Sequence, residues 1–208
     1  NRKDLLGLRD LSADEIMTIL NTAKEMKAKI DNPSLRDDSL SKSSIVTLFY
    51  ENSTRTKMSF MLAGDYQGAI VKDLGVATSS VSKGESLVDT GVTLDQMGIN
   101  IMIIRHQMTG AAHLLAKNVK SSVVNAGDGS NEHPTQALLD LFTIMEKKGS
   151  FEGLKVVILG DISHSRVARS NAFGLTKLGA KVTLAGPSTL VSNSMKSLGV
   201  EVETDIPK

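Results

Sequence analysis

The chain has 208 residues with 40% hydrophobic content, enough to bury a sizeable core as one large domain or two small ones. Its 24 Lys and Arg balance 23 Asp and Glu, and only 3% of residues are aromatic, so it offers neither the basic face nor the stacking surface of a nucleic-acid binder. Cysteine is absent, which excludes disulfides, thiolate metal sites and cysteine nucleophiles and fits a reducing compartment. No apolar run approaches the roughly 18 residues of a membrane span. The opening NRKDLLGLRDLSADE lacks the apolar core of a signal peptide, so a cytoplasmic location is expected.

The first element in chain order is a helix within LSADEIMTILNTAKEMKA. Ser12 and Glu15 stand three apart as a capping box, and Leu11 is placed to meet Ile16 as a hydrophobic staple. Four short apolar runs follow: SIVTLFY (44–50), AIVKDLG (69–75), INIMIIR (99–105) and SSVVNAG (121–127). Each is expected to be a strand, and the gaps between them are long enough for crossover helices, which favours a parallel sheet. A long amphipathic run, PTQALLDLFTIMEKK, leads to a break at KKGSFEG (147–153). LKVVILGD and KVTLAG then start a second strand-and-helix series. The expected fold class is α/β, with two domains of parallel sheets flanked by helices, spanning 1–148 and 149–208. No internal repeat or low-complexity tract is seen.

Functional residues are sought at the strand ends, because an open parallel sheet gathers ligands beyond the carboxyl ends of its strands. FYENSTRTKMSF carries Ser53, Thr54, Arg55 and Thr56 from the first strand into a helical pattern. Free N–H groups, the positive end of the helix dipole, three hydroxyls and a forked guanidinium suit an anion such as phosphate. The competing reading is that Ser53 or Thr54 simply caps the helix. Arg105 ends the apolar run INIMIIRH, where a charge is costly without an anionic partner. In NAGDGSNEHPTQ, His133 and Gln136 flank Pro134, which fits the first turn of a helix; His133 is either a donor to a ligand oxygen or a cap. Lys83 is the only cation of the loop ATSSVSKGESL, and is either a phosphate ligand or a solvated charge. VVILGDISHSRVARSN places His164, Ser165, Arg166 and Arg169 after a strand. The single Gly160 does not make a dinucleotide fingerprint, whereas Arg166 at a helix start is either a carboxylate-binding residue or a surface arginine.

Five of these stretches, STRTKMSF, SSVSKGESL, IIRH, GDGSNEHPTQALLDLFTI and LGDISHSRVARSN, together resemble the catalytic chain of the aspartate carbamoyltransferases. The resemblance runs from about Leu5 to Val202. The Ser-Thr-Arg-Thr and His-Pro-x-Gln elements are shared with ornithine and related carbamoyltransferases, whereas the Lys-Gly-Glu-Ser loop and the run from His164 to Arg169 look like the aspartate branch. The sequence departs from the family pattern at Asn52, where Pro is usual, at Lys57, where Arg is usual, and at Met61, where Glu is usual.

The resemblance implies an enzyme that moves the carbamoyl group of carbamoyl phosphate to the amine of L-aspartate, a step of pyrimidine synthesis. Ser53, Thr54, Arg55 and Thr56 would hold the phosphate, and Arg105 would bridge phosphate and carbonyl oxygen. His133 and Thr56 would donate to that oxygen, and Gln136 would contact the carbamoyl amino group. Ser80 and Lys83 would reach a neighbouring subunit's site, since family members are homotrimers with shared active sites. Lys83 and Arg166 would bind aspartate. No cofactor or metal is implied; a regulatory chain or fused partner is compatible. Family chains continue beyond DIPK, so the chain as given is expected to hold most of the carbamoyl phosphate pocket, an incomplete aspartate site and no activity alone. The other readings are a carbamoyltransferase for a different amine and a truncated, non-catalytic assembly partner.

Overall fold

A computed structural model describes residues 2–75 and 84–205. The chain forms two compact units: Asn1–Leu6 with Lys24–Gly129, and Gly7–Ala23 with Ser130–Lys208. No helix among the described residues is long and apolar enough to cross a membrane.

The first unit holds a four-stranded parallel sheet of β1 (Ser44–Phe49), β2 (Ile70–Leu74), β3 (Ile101–His106) and β4 (Ser122–Asp128), in the order β2-β1-β3-β4. All four expected strands are present, each within about two residues of its expected bounds, and all are parallel. The central strands are continuous apolar runs because both faces are covered, as crossover helices require. On one face Val46, Leu48, Met102, Ile104 and Val123 pack with Ala112 and Leu115 of α4 (Ala111–Asn118), and with Leu87 and Leu94 of α3 (Leu87–Gln96). On the other, Ile45, Phe49, Ile103 and Ala126 meet Phe60 of α2 (Thr54–Asp65). Each fully buried Leu or Ile of this kind contributes about 1.5–3 kcal/mol. Gly64 lets α2 lie close on the sheet: a Cβ there would come 2.6 Å from Val71 Cγ2 and 3.0 Å from Ile45 Cδ1. Leu5 adds a single bridge beside β4, with Leu5 N–H donating to Val123 O at 2.9 Å.

The strand order carries the functional consequence. From β1 the chain moves outward to β2, then returns across to β3 and on to β4. The direction of winding therefore reverses between β1 and β3, and the crevice beyond their carboxyl ends is the switch point where such sheets bind ligands.

The second unit contains the sheet β5-β6-β7, again parallel, made of Lys155–Leu159, Lys181–Ala185 and Glu201–Glu203. β7 was not among the expected strands; at three residues it is too short to show a period. α5 (Pro134–Lys148) and α6 (Arg166–Lys177) pack together, and Gly174 permits their approach, since a Cβ would stand 2.7 Å from Leu141 Cδ1. α5 ends at Gly149 with φ 76°, a glycine conformation at the expected break. The expected first helix, α1, spans Ala13–Asp31. Its capping box is formed: Ser12 N–H donates to Glu15 Oε2 at 2.8 Å and Glu15 N–H to Ser12 Oγ at 3.1 Å, with Leu11 and Ile16 both buried. Lys177 of α6 donates to the carbonyls of Leu8 and Leu11, tying that entry segment down.

Candidate functional site

In the first unit, the register that aligns Phe49 with Arg105 brings the two expected strand ends side by side, and Tyr50 N–H donates to Arg105 O at 2.9 Å. Ser53 is the N-cap of α2, but its hydroxyl makes no capping hydrogen bond. The simple capping explanation for Ser53 is therefore not realised in this state. Ser53 and Thr56 are half-buried, and Thr54 and Arg55 are exposed at the helix mouth. The N–H groups of this first turn have no intrahelical acceptor, which makes the position receptive to negative charge.

Arg105 faces an anion already. Its Nε donates to Glu51 Oε2 at 3.0 Å, with both side chains mostly withdrawn from solvent (16% and 20% exposed), and its Nη1 donates to Ala126 O at 3.4 Å. Glu51 lies inside the motif stretch yet was assigned no role from sequence. Glu51 stands two residues beyond β1, and only the register of β1 against β3 shows that it meets Arg105. His106, next to Arg105, stacks on Tyr50 with ring centroids 4.6 Å apart. Burial holds its imidazole below the ordinary 6.5, against opposing pulls from Glu51 and Asp128. Its Nδ1 accepts from Met108 N–H at 2.9 Å, so the proton of the neutral ring is on Nε2.

The first turn of α2 is also tied to the sheet. Lys57 Nζ donates to Asp73 Oδ2 at 3.0 Å, and Thr47 Oγ1, fully buried on β1, donates to Asp73 Oδ1 at 2.6 Å. Partial burial alone would raise the Asp73 carboxyl, but Thr47 and Lys57 together hold it below 3.8. A carboxyl depressed in the folded state contributes stability that is fully present above about pH 3.8 and is lost as pH falls through the lower folded value. Urea denaturation should therefore show Lys57→Met less stable than the parent near neutral pH, with the gap narrowing below pH 3.8. A gap that stayed constant with pH would contradict this coupling.

In the second unit, His133 is the N-cap of α5 and is buried, again without a side-chain capping bond. Its backbone N–H donates to Ser170 Oγ at 2.9 Å, and Ser170 donates to Glu132 Oε2 at 3.0 Å. Glu132 also accepts from Leu8 N–H at 2.7 Å. Burial pushes this carboxyl above its ordinary value, and the donors around it offset only part of that rise. Glu132 was missed from sequence because its partners lie far away in the chain. Gln136 stands in the first turn of α5, with Nε2 donating to Asp140 Oδ1 at 3.1 Å. Arg166 opens α6 behind Ser165, whose hydroxyl accepts from Ala168 N–H at 3.1 Å. His164 Nδ1 pairs with Asp161 at the surface, 2.9 Å from Oδ1. The Nε of Arg169 is buried with no partner among the described residues. Ser80 and Lys83 lie outside the described residues.

The geometry thus gathers Ser53, Thr54, Arg55, Thr56 and Arg105 at one switch point, and sets His133 and Gln136 within one turn of each other at the start of α5. A family model for the aspartate/ornithine carbamoyltransferase carbamoyl-P binding domain matches residues 3–146. The chain is 62% identical over 200 residues to an aspartate carbamoyltransferase catalytic subunit of Ruminiclostridium cellulolyticum, covering 96% of this chain and 64% of that protein. It is 61% identical over 204 residues to the corresponding subunit of Acetivibrio thermocellus, covering 98% of this chain and 65% of that one. The chain therefore spans a little under two thirds of the length of these relatives. Among solved structures, aspartate transcarbamoylase from Trypanosoma cruzi in complex with carbamoyl phosphate superposes with a TM-score of 0.88 at 30% identity, covering 98% of this chain and 66% of that chain.

Proposed function

Because this chain belongs to the aspartate/ornithine carbamoyltransferase family, we propose that it supplies the carbamoyl phosphate-binding part of an aspartate carbamoyltransferase. Residues 1–148 form the carbamoyl phosphate domain in this reading, and 149–208 begin the aspartate domain. The observation that carries the proposal is the β1/β3 switch point. There a Ser53 hydroxyl that makes no capping bond, the open first turn of α2 and Arg105 lie at neighbouring strand ends, and the guanidinium already meets a carboxylate.

The proposed roles follow from charge. Ser53, Thr54, Arg55 and Thr56 hold the phosphate, and Arg105 spans phosphate and carbonyl oxygen. Thr56 and His133 donate to that oxygen, and Gln136 meets the amino group. The amine of aspartate attacks the carbonyl carbon, forming a C–N bond while the carbonyl π electrons move onto oxygen. Collapse of the tetrahedral intermediate breaks the C–O bond to phosphate, which leaves with the electron pair, and the nitrogen gives up a proton. Each donor aimed at the developing oxyanion or the departing phosphate is worth about 3 kcal/mol. Arg166 and Lys83 are assigned to the carboxylates of aspartate.

We also propose a homotrimer in which Ser80 and Lys83 serve a neighbouring subunit. The first unit carries uncovered apolar side chains on α2 and on the neighbouring edge strand β2: Met58, Leu62 and Ile70, the last 59% exposed. Sedimentation velocity of the full-length protein should give a trimer, and a monomer at assay concentration would overturn this part. Cytoplasmic location is proposed with it.

Carbamoyl transfer by the full-length protein to aspartate, and not to ornithine, tests the assignment; ornithine as the better acceptor would place the chain in the other branch. The 208-residue chain is expected to bind carbamoyl phosphate without turning it over. Glu51→Gln supplies a sharper check on the pocket. Removing the carboxylate that competes for Arg105 should tighten inorganic phosphate binding about fivefold to thirtyfold by calorimetry, since the net worth of a half-buried charged hydrogen bond is about 1–2 kcal/mol. Weaker binding in this variant would contradict the competition.

A further inference from the structure

Gln136 is an ambivalent side chain: its amide has a donor end and an acceptor end, and either can face a ligand. Its surroundings remove that ambivalence. Asp140, four residues on and therefore on the same face of α5, receives Gln136 Nε2 on Oδ1 at 3.1 Å. The other oxygen, Oδ2, receives Nδ2 of Asn171 from α6 at 2.7 Å. An ionised carboxylate only accepts hydrogen bonds, so the group that each amide turns toward it must be the NH2. For Gln136 that leaves Oε1 as the end available to a ligand. For Asn171 it leaves Oδ1 buried with no partner among the described residues. A buried amide oxygen without a donor is unfavourable, so Asn171 keeps its bond to Asp140 at the expense of its own second one.

We propose that Asp140, held by Asn171, is a positioning residue that fixes the Gln136 amide with its oxygen outward and so makes this position selective for an N–H donor. This rests on the reading that Gln136 meets the amino group of carbamoyl phosphate, and it predicts that the position takes a carbamoyl group in preference to a carboxylated analogue of the same size. A site built around a half-buried, fixed acceptor discriminates against a ligand that brings another acceptor, because two lone pairs are then opposed.

The test uses two stable phosphonates that differ only at the discriminated group: phosphonoacetamide, which ends in an NH2, and phosphonoacetate, which ends in an acceptor. Both are titrated calorimetrically into the full chain. The parent should prefer the amide. Asp140→Leu frees the Gln136 amide to turn, and the ratio of the two dissociation constants should fall about tenfold, the equivalent of one hydrogen bond, while phosphonoacetate binds as well as before or better. Asp140→Leu strands Asn171 at a cost in stability, so Asp140→Leu with Asn171→Leu, which replaces both partners by apolar groups, is measured beside it with thermal unfolding as a control. A ratio that stays at the parental value in a folded variant overturns the proposal, as does a parallel loss of both ligands, which is what a purely structural role predicts. Gln136→Ala separates the two levels. If it abolishes the preference while the Asp140 variants keep it, only the positioning claim fails; if it leaves the preference intact, the reading of Gln136 fails and the positioning claim with it.

Discussion

Arg105→Ala is expected to weaken carbamoyl phosphate binding by a hundredfold or more, the largest loss of any single substitution in the first unit. Two effects add. The guanidinium is a forked donor at the switch point, and losing such a charged contact costs about 2–4 kcal/mol. Its removal also takes the guanidinium from beside Glu51, 3.0 Å away, and leaves that carboxylate less well compensated next to the proposed phosphate position. The second effect gives the prediction its signature. Arg105→Ala combined with Glu51→Ala should bind better than Arg105→Ala alone, a non-additivity that independent sites more than about 7–10 Å apart do not show. Arg105→Lys should rescue poorly, since an ammonium cannot span two acceptors in the planar geometry of a guanidinium. A loss below tenfold in Arg105→Ala, measured by calorimetry, would contradict the placement of the phosphate at this strand end.

The second large effect is on stability. Gly129→Ala is expected to destabilise the first unit by about 3 kcal/mol or more, read from the urea midpoint. Gly129 follows β4 with φ 51°, the left-handed region that costs an L-residue roughly 1–2 kcal/mol. Space is the greater obstacle: a Cβ would stand 2.4 Å from Thr109 Oγ1, 2.7 Å from Thr109 N and 2.9 Å from Gln107 O. Two of those atoms are backbone and cannot be cleared by a rotamer change. The same loop is pinned by Gly129 N–H donating to His106 O at 2.9 Å and by Asp128, fully buried, accepting from Gly110 N–H at 2.7 Å. A substitution here therefore disturbs the end of β3, where Arg105 and His106 are set. An unchanged midpoint would mean that the loop relaxes in a way this geometry does not provide.

Much of the fold was legible because its signals are local. Apolar runs long enough for a buried parallel strand, spaced by helix-length gaps, specify crossovers; Ser12 and Glu15 announce a helix start within four residues. The strand ends that carry Ser53 to Thr56 and Arg105 could be picked out for the same reason, since each motif sits where a strand stops. What stayed hidden depends on pairing at a distance. Nothing in the sequence tells that Glu51 occupies Arg105, because that contact needs the register of β1 against β3. Asp140 and Asn171 are ordinary polar residues on helix-forming stretches until α5 and α6 are side by side, and Glu132 is an ordinary loop acid until Leu8 and Ser170 reach it. β7 escaped because three residues cannot display an alternation, and its pairing with β6 comes from tertiary packing.

The most direct measurement is a calorimetric titration of the chain with inorganic phosphate, repeated with Arg55→Ala. Arg55 is exposed at the mouth of α2, so its replacement should leave thermal unfolding essentially where it is. Binding should saturate at one site per chain and weaken at least tenfold in the variant. Phosphate binding that is undiminished in Arg55→Ala, with both proteins folded, would contradict the assignment of the switch point as the phosphate pocket.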